Sequence, residues 1–105
     1  MKLWIDDVRP APEGYVHCLS VNHAILKIQV AESMHRDASD IDIISIIDID
    51  HDAGDFVSDG GDYIKLLDWL EETGRNYPIR IHSQNPVGVA NMRAIIERNG
   101  WKEIR

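Results

Sequence analysis

Residues 43–52 read Ile43-Ile44-Ser45-Ile46-Ile47-Asp48-Ile49-Asp50-His51-Asp52. Residues 43–49 are the most apolar stretch of the chain and are rich in β-branched side chains, which marks a central strand covered on both faces. The loop after it, residues 50–61, holds four Asp and three Gly. Working upstream, residues 34–42 are polar and turn-like. Ser20 is placed to cap a helix carrying Val21, Ala24, Ile25 and Ile28 on one face. Residues 15–19 suit a short strand. Residues 8–14, with Pro10, Pro12 and Gly14, are a loop, and Leu3-Trp4-Ile5, stopped by Asp6-Asp7, is another buried strand. Downstream, a helix over residues 62–73 turns Tyr63, Leu66, Leu67 and Leu70 inward and stops at Gly74. Residues 78–82 form a further strand. Pro86 opens a helix with inner face Val89, Met92, Ile95 and Ile96, which ends at Asn99-Gly100. Residues 101–104 give a last strand.

Strands alternating with helices predict one α/β domain over residues 1–105. Its sheet is mostly parallel and five-stranded, with helices on both faces, hence three layers. In such sheets ligands bind at the carboxyl ends of strands. The polar residues there are Asp6-Asp7, Asp50-His51-Asp52 and His82-Ser83-Gln84-Asn85, and all three clusters fall on one rim.

Composition narrows the function. The 105 residues carry 18 acids against 11 Lys and Arg, a formal charge of −7. That balance repels phosphate backbones, so general nucleic-acid binding is not expected. The single Cys18 excludes an internal disulfide and a Cys-built zinc site. No apolar run is long enough to span a membrane. The acidic start, Ile5-Asp6-Asp7, is no signal peptide, and a cytoplasmic location is expected.

On the rim, carboxylates from neighbouring strands about 4.8 Å apart repel unless a cation joins them. Asp6, Asp7 and Asp50 are the candidate ligands, and a hard cation such as Mg²⁺ or Mn²⁺ suits them. One Asp at a strand end is more simply a turn or cap residue; two clusters on one rim favour function. His51 and His82 end strands expected to be neighbours and are candidates for general base and general acid. The plainer alternative is a turn residue bonded to Asp52 for His51 and a half-buried polar group for His82. His17, His23 and His35 are scattered and read as structural. Ser83 and Asn85 precede a helix start, where free N–H groups favour anions; plain capping explains them equally well. Arg9 is placed either to pair with Asp6 or Asp7 or to bind a phosphate. Trp4, Trp69 and Trp101 read as core, and Tyr15 as the more exposed aromatic. No nucleophile elbow and no P-loop is present.

Three motifs standing in order resemble the cyclic-phosphate processing receiver-like domain family, found in bacteria and phages. They are Leu3-Trp4-Ile5-Asp6-Asp7-Val8-Arg9-Pro10-Ala11-Pro12, Ile49-Asp50-His51-Asp52-Ala53-Gly54 and Ile81-His82-Ser83-Gln84-Asn85-Pro86-Val87-Gly88. Asn91-Met92 also fits, and the likeness runs from Lys2 to about Asn99. It implies a receiver-like, flavodoxin-like sheet with a reworked acidic pocket. Asp6 and Asp7 match the receivers' metal-binding pair, Asp50 their phosphoacceptor position and Ser83 the hydroxyl ending their fourth strand. His51, Asp52, His82 and Asn85 belong to the family's own pattern. No Lys stands at the end of the last strand, since Lys102 comes too early, which argues against a phosphorelay receiver. The short link between the first two strands implies that the first helix is reduced or lost, and leaves the direction of the second strand open.

The resemblance implies a metal-assisted phosphoesterase acting on a cyclic nucleotide or a 2′,3′-cyclic RNA end. In that reading His51, His82, Asp50 and Asp52 are catalytic, Arg9, Ser83 and Asn85 bind the ligand, and Asp6, Asp7 and Asp50 hold Mg²⁺ or Mn²⁺. The alternatives are a non-catalytic cyclic-nucleotide binding module, either sensor or phage-encoded sponge, and a degenerate receiver used for protein interaction. A homo-oligomer is compatible with all three, and a phage-encoded copy is expected in the host cytoplasm.

Overall fold

The computed structural model describes residues 1–34 and 43–105. The turn expected over residues 34–42 and the side chain of His35 fall largely outside the described residues. The elements run β1 (Lys2–Ile5), β2 (Tyr15–Cys18), α1 (Val21–Met34), β3 (Ile46–Ile49), a 3-10 turn (Gly54–Phe56), α2 (Ile64–Glu72), β4 (Ile79–Ile81) and α3 (Pro86–Asn99). Among the described residues the sheet has four strands in the order β2-β1-β3-β4, and every pairing is parallel, including the one left open between β1 and β2.

Four strands replace the expected five. Residues 101–104 reach β4 only as one parallel bridge between Ile79 and Glu103. Ile79 donates to the Lys102 carbonyl and accepts from the Ile104 N–H, and the ladder extends no further.

Strand order decides where the helices go. The steps from β2 to β3 and from β3 to β4 move the same way across the sheet, so right-handed crossovers put α1 and α2 on one face. The alternation of side chains along each strand then fixes the core. Leu3, Ile5, Cys18, Ile47, Ile49 and Ile79 point to that face. They join Val21, Ala24, Ile28, Leu66, Leu67, Leu70, Met92 and Ile96 in one buried cluster. Truncating one of these, such as Leu67→Ala, should cost about 2–5 kcal/mol.

The step from β1 to β2 runs the other way, so its link lies on the opposite face. The third layer there is a loop, residues 6–14, in place of the expected helices. Its turn is held by Asp6, whose Oδ1 accepts the backbone N–H groups of Val8 and Arg9 at 2.8 and 2.9 Å. Gly14 closes it at a φ of 85°, a conformation that favours glycine. This face carries Trp4, His17, Asp48, Arg80 and His82 in place of an apolar layer.

The caps agree with the sequence. Ser20 Oγ accepts the His23 N–H at 3.0 Å and donates to Asp59 at 2.6 Å. Asn85 caps α3 by accepting the Gly88 N–H at 3.0 Å. No helix among the described residues is long and apolar enough to cross a membrane.

Candidate functional site

Register builds the site. Ile5 pairs with Ile49, and Ile49 with Ile81. The next residue of each strand, Asp6, Asp50 and His82, therefore emerges level with the other two. Each offers one ligand atom, and these atoms lie within 4.8 Å of one another. One step back along the strands, Trp4, Asp48 and Arg80 are level on the same face. The upper row faces the rim and the lower row supports it from beneath.

His82 is bound on every side. Its Nε2 lies 2.8 Å from Asp6 Oδ2 and its Nδ1 lies 2.7 Å from Asp48 Oδ1. The ring stacks on Trp4 with centroids 3.9 Å apart. The side chain is only 7% exposed, against 1% for Asp6 and 4% for Asp48. Arg80 bonds Asp48 at 3.1 and 3.4 Å and supplies a permanent positive partner for it.

Asp6 is equally enclosed. Burial pushes its carboxyl up, but the N–H groups of Arg9 and Val8 and the ring of His82 outweigh this and hold it below the ordinary 3.8. Behind the site, the buried Tyr63 donates to the Leu19 carbonyl at 2.7 Å. Burial, followed by the fields of Asp7, Asp6 and Asp50, pushes the Tyr63 hydroxyl well above its usual range, a sign of how closely those acids gather.

A second cluster lies beside the first. His51 Nδ1 meets Asp52 Oδ1 at 2.9 Å, and Asn85 Nδ2 bonds Asp52 at 3.4 Å. The His51 ring packs on the first turn of α3, where a Cβ added to Gly88 would meet it at 2.5 Å. Its Nε2 has no protein partner among the described residues. Asp50 Oδ1 accepts the His51 N–H at 2.7 Å and links the two clusters.

Each expected residue can now be located. Asp6, Asp50 and His82 converge. Asp7 packs against Gly54, where a Cβ would meet its Oδ2 at 2.2 Å, and among the described residues it is not part of the metal-sized group. His51, Asp52 and Asn85 form the second cluster, and Ser83 Oγ accepts the Asn85 N–H at 3.1 Å. Arg9 takes neither expected ion pair: its guanidinium donates to the His82 carbonyl at 2.8 Å. The tight turn at Asp6 brings the Arg9 N–H to that carboxylate and sends the side chain onward. Trp4 is buried as expected, but it packs on His82 and stands outside the helix-side cluster. Its Nε1 donates to the Arg9 carbonyl at 3.0 Å, and Tyr15 meets its edge with centroids 6.1 Å apart. His17, expected to be structural, bonds the Asp6 carbonyl at 2.7 Å.

Asp48 and Arg80 were not singled out from sequence. The signal is there all the same: an acid amid isoleucines in a central strand must find a buried partner.

The donor set suits a divalent cation. Two carboxylates and an imidazole offer ligand atoms within 4.8 Å of one another, close enough to hold a metal ion. The fourth group, Asp48 on the far nitrogen of His82, is the usual partner of a ligating histidine.

A family model described as the cyclic-phosphate processing receiver domain matches residues 1–98. No curated protein and no solved structure matches the chain.

Proposed function

Because the chain belongs to the cyclic-phosphate processing receiver domain family, we propose that it is a metal-assisted phosphoesterase that opens a cyclic phosphate by hydrolysis. The observation that carries this reading is the convergence of Asp6, Asp50 and His82 within 4.8 Å, beside a histidine with a free ring nitrogen.

Asp6, Asp50 and His82 would hold the cation, which when bound neutralises phosphoryl oxygens and polarises the phosphorus. With both nitrogens engaged, His82 is assigned to holding and not to proton transfer. His51 moves the proton. Its Nδ1 is oriented by Asp52 at 2.9 Å, so Nε2 is the atom free to accept a proton from an attacking water. Water adds to phosphorus, one ring P–O bond breaks, and the departing oxygen takes up a proton, leaving a ring-opened phosphomonoester. Arg9, anchored through one nitrogen on the His82 carbonyl, has further donors for a phosphoryl oxygen. Ser83, whose oxygen already accepts the Asn85 N–H, keeps its hydroxyl hydrogen to donate. Asp7 is left to the electrostatics of the rim.

The test is a panel incubated with the full chain and Mn²⁺ or Mg²⁺: 2′,3′-cyclic mononucleotides, an RNA oligomer ending in a 2′,3′-cyclic phosphate, 3′,5′-cyclic mononucleotides and cyclic dinucleotides. Ring opening and thermal shift are both scored. Metal-dependent ring opening of one class supports the proposal. Saturable binding without product overturns catalysis in favour of a sensor or sponge, and no response in either readout overturns both.

A further inference from the structure

Asp48 is the residue that hydrophobic packing does not explain. It stands in the middle of β3 between Ile47 and Ile49, both fully buried, with its own side chain only 4% exposed. A carboxylate there is strongly unfavourable unless fully partnered. It is partnered, by Arg80 on one side and by Nδ1 of His82 at 2.7 Å on the other.

We propose that Asp48 is a positioning residue that makes His82 a metal ligand, and that it thereby tunes the rim toward first-row transition cations over Mg²⁺. This rests on the reading of Asp6, Asp50 and His82 as a cation site. A proton shared between Nδ1 and Asp48 fixes the tautomer and leaves Nε2 as the coordinating atom. Trp4 beneath the ring, at 3.9 Å and 3° from parallel, removes its freedom to tilt. Nε2 is thereby held 2.8 Å from Asp6 Oδ2, a contact that a cation held by both residues would replace. Arg80 bonds the Asp48 carboxylate at 3.1 and 3.4 Å and holds it in place beneath His82. Imidazole suits Zn²⁺, Fe²⁺ and Ni²⁺ best and is accepted by Mn²⁺, the weakest binder of that row, whereas Mg²⁺ prefers oxygen and retains its waters. A site of acids alone would favour neither in this way.

The experiment measures metal binding without any substrate. Mn²⁺ affinity of the full chain is read by electron paramagnetic resonance, Mg²⁺ affinity by competition, and directly bound nitrogen by electron spin-echo modulation of the Mn²⁺ signal. The expected result is a ¹⁴N coupling in the wild type and in His51→Ala. Asp48→Asn should weaken Mn²⁺ binding about 10- to 100-fold and change Mg²⁺ binding much less, so that the selectivity ratio collapses. A loss of fold would lower both affinities together, which separates positioning from plain destabilisation. If Asp48→Asn does not fold, the wild-type spectrum still decides: a bound Mn²⁺ with oxygen ligands only overturns the role of Asp48 and leaves the cation site standing. An unchanged selectivity ratio in folded Asp48→Asn also overturns it. No binding of either metal by the wild type overturns the cation site itself and this inference with it.

Discussion

The imidazole of His82 lies flat against the indole of Trp4, with ring centroids 3.9 Å apart and planes 3° from parallel. The contact reaches from β4 across β3 to β1, and so ties three neighbouring strands together at the rim. It also explains why a tryptophan occupies the sheet face opposite the helices. Its role there is to support the site, and its Nε1 fastens the 6–14 loop through the Arg9 carbonyl.

Trp4→Ala should lower stability by about 3–5 kcal/mol, the range for truncating a buried tryptophan. Trp4→Phe keeps a ring under His82 and loses only the bond to Arg9, which is worth about 1 kcal/mol. Urea denaturation of the two variants checks this. Equal losses would show that stacking contributes nothing beyond the indole hydrogen bond.

The two histidines should part company in stability. His82→Ala leaves Asp6 and Asp48 buried without their shared partner, at a cost of about 3–5 kcal/mol. His51→Ala removes a ring bonded to the exposed Asp52 and should cost less than about 1.5 kcal/mol. Urea midpoints compare them directly, and an equal loss in both contradicts the division of the site into a buried and an accessible cluster.

Gly88→Ala would ordinarily stabilise α3, since glycine inside a helix costs about 0.5–1 kcal/mol relative to alanine. Here the new Cβ meets the His51 ring at 2.5 Å. The expected outcome is no gain in melting temperature and a fall in ring-opening rate of up to about 10²-fold, the scale of a catalytic group displaced by an ångström. A stabilised protein with full activity would show that His51 need not sit where α3 holds it.

Away from the site, Arg75 bonds Glu32 in a two-pronged pair, and together with Tyr77 it holds the Glu32 carboxyl below its ordinary 4.5 against the upward push of burial. A lowered carboxyl contributes stability above its unfolded value and loses it as pH falls through the folded one. Glu32→Gln should therefore destabilise by about 1.5–3 kcal/mol at neutral pH, and the gap to wild type should close as pH drops below 4.5. A gap independent of pH would mean that packing, not charge, is lost.

Much of this was legible in the sequence because local signals and the fold agree. Ser20, Gly74 and Pro86 mark helix ends through caps and backbone preferences that act within one turn. The isoleucines of β3 announce a central strand. The level arrangement of Asp6, Asp50 and His82 follows from strand ends meeting one rim. What escaped was set by strand order and pairing. That the first crossover falls on the opposite face, alone and without a helix, leaves the buried Trp4 packed on His82 and outside the helix-side cluster. Cross-strand pairing turns Asp48 and Arg80 from isolated polar residues into the support of His82. The turn at Asp6 sends Arg9 to a backbone carbonyl and away from a carboxylate. The fifth strand shrinks to one bridge at Glu103, a matter of pairing that residues 101–104 do not reveal on their own.

The most direct test compares wild type with His51→Ala at neutral pH and saturating Mn²⁺, using the cyclic phosphate that the wild type opens fastest and following the ring-opened monoester chromatographically. The account predicts a rate about 10²–10⁴ lower for His51→Ala, the usual worth of a positioned acid or base, with Mn²⁺ affinity unchanged. A wild type no faster than Mn²⁺ alone, or a His51→Ala variant as fast as wild type, would contradict it.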